Sequence, residues 1–212
     1  MRLRTVIHPV AACLLTELRD ERTPTAAFRR LTAELAVLLA FEATRELATE
    51  PVQIRTPVGP TTGARPASPP PLLVPVLRAG LGLLDGVRSV LPDAQVGFVG
   101  MARDEASLQP AAYLDRLPAD LTGRQCFVLD PMLATGGTLV ATVRLLVERG
   151  ARDVTAVCLL AAPEGVATLE QAFSGDSSVN LSLVVAAIDD HLNHVGYIVP
   201  GLGDAGDRLY GG

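Results

Sequence analysis

Lysine is missing from this chain: all 18 of its basic residues are arginines. That excludes a Walker-type phosphate lysine and any lysine that forms a Schiff base. A bound anion must then be held by Arg or by backbone N–H groups. Trp is missing too, and aromatics make up only 4% of residues, so the core has to be built from Leu, Val, Ile and Ala. The three cysteines (Cys13, Cys126, Cys158) and three histidines (His8, His191, His194) have no zinc-ligand spacing. They imply no disulfide framework, which suits a reducing compartment. No apolar run is long enough to span a membrane. The stretch before Val10-Ala11-Ala12-Cys13 is short and contains His8 and Pro9, so it makes a poor lipoprotein signal. A cytoplasmic protein without membrane contact is the expectation. The net charge of −5 disfavours a nucleic-acid partner, whose footprint is usually basic.

What is present points to a single sizeable core. Hydrophobic residues are 49% of 212, enough for one domain over 1–212. The chain divides into an N-terminal helical region (9–50), an α/β core (51–188) and a C-terminal segment (189–212). Thr23 is read as an N-cap with Pro24 at the first helical position. Phe28, Leu31, Leu35 and Leu38 then mark one face of a helix reaching about Ala48. Val52–Thr56 alternates like a strand. Residues 57–71, rich in Pro, Gly and Ser, read as a mobile loop. Strands are expected at Leu72–Val76, Gln95–Met101, Cys126–Asp130, Val154–Ala161 and Asn180–Ile188, with helices at Leu81–Val90, Gly137–Arg149 and Glu164–Phe173. Such alternation gives a central, mainly parallel sheet flanked by helices, with its ligand beyond the C-terminal strand ends. The segment 189–212 has too many glycines for a regular element, yet Tyr197, Ile198 and Val199 argue that it docks.

The strongest signal is CFVLDPMLATGGTLVA at 126–141. A buried strand delivers Asp130, and Ala134-Thr135-Gly136-Gly137-Thr138 turns directly into a helix. Converging N–H groups, the helix N-terminus and two hydroxyls make a phosphate cradle without lysine. This loop is neither a Walker G-x-x-x-x-G-K nor a G-x-G-x-x-G. Leu77-Arg78-Ala79-Gly80 forms a second strand-to-helix corner.

The strand, the acid and A-T-G-G-T together resemble the 5-phosphoribosyl-1-pyrophosphate (PRPP) loop of type I phosphoribosyltransferases. The form D-P-M-L-A-T-G-G-T resembles the uracil phosphoribosyltransferase subfamily in particular. PVLRAGLGLLDG (75–86), VGFVGMARDE (96–105), AAPEGV (161–166) and YIVPGLGDAGDR (197–208) agree with it. The chain departs from the general family pattern of two adjacent acids, having Asp130-Pro131. It also departs from the commoner subfamily text near Met101-Ala102 and Ala106–Gln109.

The resemblance implies a type I phosphoribosyltransferase fold with a C-terminal hood over the base site. The implied reaction is uracil + PRPP giving UMP + diphosphate. Asp130, Asp204 and Arg103 are implied as catalytic residues. Arg78, Arg103, Asp130, Pro131, Met132, Leu133, Ala134, Thr135, Gly136, Gly137, Thr138 and Asp204 are implied to hold PRPP, with the two arginines at the pyrophosphate end. Ile198, Gly203, Asp204 and Ala205 are implied at uracil, read by main-chain groups. Tyr197 either packs near the base or is a core aromatic, and Asp130 on its own reads equally as a capping acid. Arg103–Tyr113 resembles a loop that closes over the site. Mg²⁺ is implied through the diphosphate and waters, with no direct protein ligand. A homodimer or higher and a GTP effector also follow only from the resemblance. A regulatory RNA binder and a purine-using enzyme stay open as alternatives. His191 and His194 read as surface histidines.

Overall fold

The computed structural model describes residues 1–67, 69–103 and 110–211, without the side chains of Arg103 and Pro110. The chain opens with β1 (Arg2–Thr5), α1 (Pro9–Arg19) and α2 (Thr25–Ala43), then β2 (Thr49–Arg55) and β3 (Pro60–Pro66). The first half of the core is β4 (Leu72–Leu77), α3 (Leu81–Val90), β5 (Gln95–Val96), β6 (Phe98–Arg103) and β7 (Pro110–Arg116). The second half is β8 (Gln125–Leu129), β9 (Met132–Leu133), α4 (Gly137–Glu148), β10 (Asp153–Ala161), α5 (Pro163–Ala172) and β11 (Asn180–Ile188). The last segment contains β12 (His191–Leu192), β13 (Ile198–Val199) and α6 (Ala205–Tyr210).

The main sheet runs β1-β11-β10-β8-β4-β6-β7, with β5 beside β4 and β9 beside β10. Its pairs are parallel except β6–β7. Alternation along each strand splits the core between two faces. Leu73, Phe127, Val157 and Val184 pack toward α1, α2, α3 and α6. Leu72, Val128, Val154 and Leu183 pack toward α4 and α5. Without Trp, the largest fully buried groups are Phe28, Phe127 and a set of leucines. Each fully buried Leu or Phe contributes about 1.5–3 kcal/mol. Among the described residues no helix is long and apolar enough to cross a membrane.

Several expectations need correcting. The N-terminus is not purely helical: β1 lines the edge of the sheet beside β11. The α2 N-cap is Pro24, one residue later than expected, and the helix ends at Ala43 rather than near Ala48. The helical region therefore stops short of residue 50, since β2 begins at Thr49. Half of the expected 57–71 loop is β3, which pairs antiparallel with β2 from Arg55↔Pro60 to Thr49↔Pro66. The Thr56 hydroxyl accepts from Val58 N–H and Gly59 N–H at 3.2 and 3.1 Å and closes that turn. Proline is tolerated because the hairpin has free edges. The expected strand Gln95–Met101 is two strands, β5 and β6. In the Arg103–Tyr113 segment, Pro110–Tyr113 belongs to β7, while 104–109 lie outside the described residues. The glycine-rich end does form regular elements: a two-residue ladder between β12 and β13, and α6.

Candidate active site

The phosphate-loop region is built from backbone. In β8, Cys126–Leu129 are buried, and Asp130 follows at the C-terminal end. Its N–H donates to Val157 O at 3.2 Å. Burial pushes the Asp130 carboxyl up to about 7, against the opposing pull of Met132 N–H. The loop is then sewn to β10. Pro131 O accepts from Leu159 and Leu160 at 2.9 and 3.1 Å, and Leu133 O accepts from Ala162 N–H at 2.9 Å. Gly136 is left-handed (φ +88°), a conformation that other residues adopt at a cost. It serves as N-cap of α4, and its carbonyl accepts from Val140 N–H at 3.0 Å.

The loop is backed by the first turn of α5. A Cβ on Gly165 would lie 2.3 Å from Ala134 O, and one on Gly136 would lie 2.9 Å from Gly165 O. The two backbones therefore interlock, which is what the AAPEGV block supplies. Asp130–Thr138 thus run from the end of β8 through β9 and the turn at Gly136 into α4, at the C-terminal edge of the sheet.

The second corner lies beside it. A Cβ on Gly80 would lie 2.2 Å from Leu129 O, so only glycine lets the turn after β4 press against the end of β8. This places Arg78 next to the segment that carries Asp130. The Leu77–Arg78 peptide is cis. The Arg78 side chain is 69% exposed and stands 3.8 Å from Asp207 in α6, while the Tyr210 hydroxyl donates to Arg78 O at 3.4 Å. Arg103 is the last residue of β6; its side chain lies outside the described residues.

The hood is assembled differently. Asn193 Oδ1 accepts from Val195 and Tyr197 N–H groups at 3.0 and 2.9 Å, shaping the β12–β13 turn. Glu164 Oε1 accepts from Leu192 N–H at 2.9 Å, and this bond holds the Glu164 carboxyl below its ordinary range. A Cβ on Gly196 would lie 3.9 Å from Thr135 Cγ2, so the hood stands against the phosphate loop. Ile198 and Ala205 are buried, whereas Gly203 and Asp204 are exposed. Asp204 caps α6, accepting from Asp207 N–H at 2.9 Å. Its carboxylate thus has a structural duty that the sequence reading did not assign. Tyr197, His191 and His194 are exposed.

The structure therefore brings Asp130–Thr138, Arg78 and the 196–205 hood to one end of the sheet. Sequence reasoning missed Glu164, Gly165, Asp207, Arg19, Asp189 and Arg208 as supporting residues. The first three lie inside blocks that were recognisable as text, as does Arg208. Arg19 and Asp189 carry no local signal. Among the described residues, no group of three or more His, Cys, Asp or Glu is placed to hold a metal ion.

Comparison with known proteins covers nearly the whole chain. The family model for uracil phosphoribosyltransferase matches residues 5–212. A uracil phosphoribosyltransferase of Nocardioides is 60% identical over 211 residues, spanning 100% of this chain and 99% of that protein. One from Kineococcus radiotolerans is 61% identical with the same coverage. A solved Aquifex aeolicus protein superposes with a TM-score of 0.89 at 37% identity, covering 98% of this chain and 97% of its own. A hypoxanthine-guanine phosphoribosyltransferase of Bacillus anthracis, at TM-score 0.51 and 13% identity over 76% of this chain and 79% of its own, shares the fold alone. The fold is that of type I phosphoribosyltransferases, and with a family match running from Thr5 to the last residue, this chain belongs to the uracil phosphoribosyltransferase family.

Proposed function

We propose that this chain performs its family's reaction, uracil + PRPP giving UMP + diphosphate, at the end of the sheet where the phosphate loop faces the hood. The observation that carries this reading is that juxtaposition: Gly196 of the hood beside Thr135 of the loop, with Arg78 beside Asp207 of α6. In the reaction a bond forms from uracil N1 to the ribose anomeric carbon. The bond from that carbon to diphosphate oxygen breaks, its electron pair leaves on diphosphate, and uracil gives up the N1 proton.

Residues 134–138 hold the phosphate of PRPP with their N–H groups and the Thr135 and Thr138 hydroxyls. Asp130 accepts from the ribose hydroxyls. Arg78 and Arg103 take the diphosphate end, where the guanidinium fork suits phosphate oxygens. Arg78 is free to do so because its contact with Asp207 is exposed and long. Asp204 faces PRPP from the hood, and main-chain groups at Ile198, Gly203 and Ala205 read the uracil edge. Mg²⁺, bound through the diphosphate and water, supplies charge neutralisation on the leaving group. Positioning and charge stabilisation do the remaining work.

The reading extends to a cytoplasmic enzyme that assembles as a homodimer or higher. Light scattering checks the mass. GTP belongs to the proposal as an effector, tested by adding it to the assay. The decisive experiment is incubation with labelled uracil, PRPP and Mg²⁺. UMP should appear, and absence of product across pH 6–9 overturns the reading.

A further inference from the structure

Two arginines outside the proposed substrate-binding set tie the hood to the N-terminal helices. Arg19, in the last turn of α1, donates from Nη1 to Asp189 Oδ2 and to Gly201 O, both at 2.7 Å, and from Nη2 to Asp189 Oδ1 at 2.5 Å. Asp189 Oδ2 also accepts from Gly201 N–H at 2.8 Å. One guanidinium and one carboxylate thereby grip both main-chain polar groups of Gly201. The Asp189 side chain is only 4% exposed. Gly201 in turn presses on Ile198: a Cβ there would lie 2.1 Å from Ile198 O.

On the other side of Gly203–Ala205, Arg208 donates to Leu202 O at 2.9 Å, to Asp20 O at 2.6 Å and to Leu18 O. Its guanidinium lies 4.3 Å over the Phe28 ring. The segment proposed to read the base is thus bracketed by two arginine anchors. Both run to the α1–α2 hairpin, which contributes none of the proposed substrate contacts.

A buried ion pair is weak evidence for stability, because desolvation offsets its attraction; its best-attested use is to fix a register. Here the pair fixes the register of a main-chain reader. Such a reader works only if its donors and acceptors stand within hydrogen-bond tolerance of the base edge. We infer that Arg19 and Asp189 are positioning residues for the base site, setting the place of the Ile198 and Gly203–Ala205 backbone from outside the α/β core. This inference rests on the proposed role of the hood.

The test is steady-state kinetics on Arg19→Lys, Asp189→Asn and Arg19→Ala, with thermal unfolding alongside. The Michaelis constant for uracil should rise at least tenfold in Arg19→Ala and Asp189→Asn, while that for PRPP stays within twofold. Arg19→Lys, which keeps the charge but not the fork, should fall between wild type and Arg19→Ala. Equal rises for both substrates, or a lowered melting temperature with unchanged uracil KM, would overturn the inference. So would failure of all three variants to fold, which would make the pair a scaffold brace. Ala205→Pro, which removes a main-chain N–H of the proposed reader at the first position of α6, where proline is tolerated, separates the two levels. If it leaves uracil KM unmoved, the main chain there is not the base reader. If it raises uracil KM while the Arg19 and Asp189 variants do not, only the positioning role is lost.

Discussion

The phosphate loop and the hood meet at one end of the sheet but are built by different means. Asp130–Thr138 are held by main-chain hydrogen bonds to β10 and by the backbone contact with Gly165. The hood is held largely by side chains: Asp189 and Arg19, Arg208, Asn193 and Glu164. A loop held by its sheet inherits its shape from the fold. A segment held by side chains can be re-registered by single substitutions. On the proposed reading, the first suits an unvarying phosphate and the second a base that has to be told from its analogues.

Base choice offers the sharpest way to break this comparison. Cytosine carries an amino donor where uracil has a carbonyl, and an acceptor at N3 where uracil has N–H. A fixed main-chain reader should reject it by roughly 10⁴-fold in kcat/KM, because buried groups are left unpaired. Comparable use of cytosine by the wild type would remove main-chain readout. Next in size, Gly136→Val forces a branched side chain into a left-handed position and toward Gly165 O. PRPP binding should weaken by about a hundredfold or more by calorimetry while the circular dichroism spectrum is retained. Normal affinity would show that the loop is more pliable than its backbone bonds imply.

Asp130→Asn tests the acid with its shape kept; a fall of about tenfold or more in kcat/KM is expected. The same variant isolates a pH effect. The folded Asp130 carboxyl titrates at about 7, raised by burial from 3.8. In the free protein, stability present below about pH 4 is therefore lost as pH rises toward 7, as the buried group ionises. Ribose hydroxyls donate to the ionised form, so PRPP affinity should increase through the same window. Asp130→Asn should flatten that part of both profiles, compared by thermal unfolding and by calorimetry. An unaltered profile would place the titration elsewhere. The smallest effect expected is for Arg78→Lys: a several-fold rise in PRPP KM with little change for uracil. A rise for uracil alone would move Arg78 to the base side.

Much of the loop region was legible because its information is local. The apolar run Cys126–Leu129, the acid and the glycines sit in one stretch, and α3 falls where the apolar pattern put it, at Leu81–Val90. β2 was legible from the alternation at Val52–Thr56, but its partner β3 was not, because Pro60 and Pro66 look like breakers unless the strand is known to have a free edge. β1 is four residues long and gains its identity only from β11. In the hood, six glycines masked a six-residue helix whose stability comes from its Asp204 cap and from packing of the buried Leu209. Arg19 and Asp189 are separated by 170 positions, so no reading of neighbouring residues could pair them.

The pairing of β1 with β11 sets the order in which the molecule can be completed. Arg2 lies opposite Ser182, and Val6 N–H donates to Val185 O at 2.9 Å. β1 is thus made well before the strand that completes it, and waits until β11 has been made. Contacts of such long sequence separation close slowly. During elongation at about 5–20 residues per second, β1 is an unpaired strand in the interval. Docking of the hood onto α1 waits longer still, until Asp189, Gly201 and Arg208 have all been made.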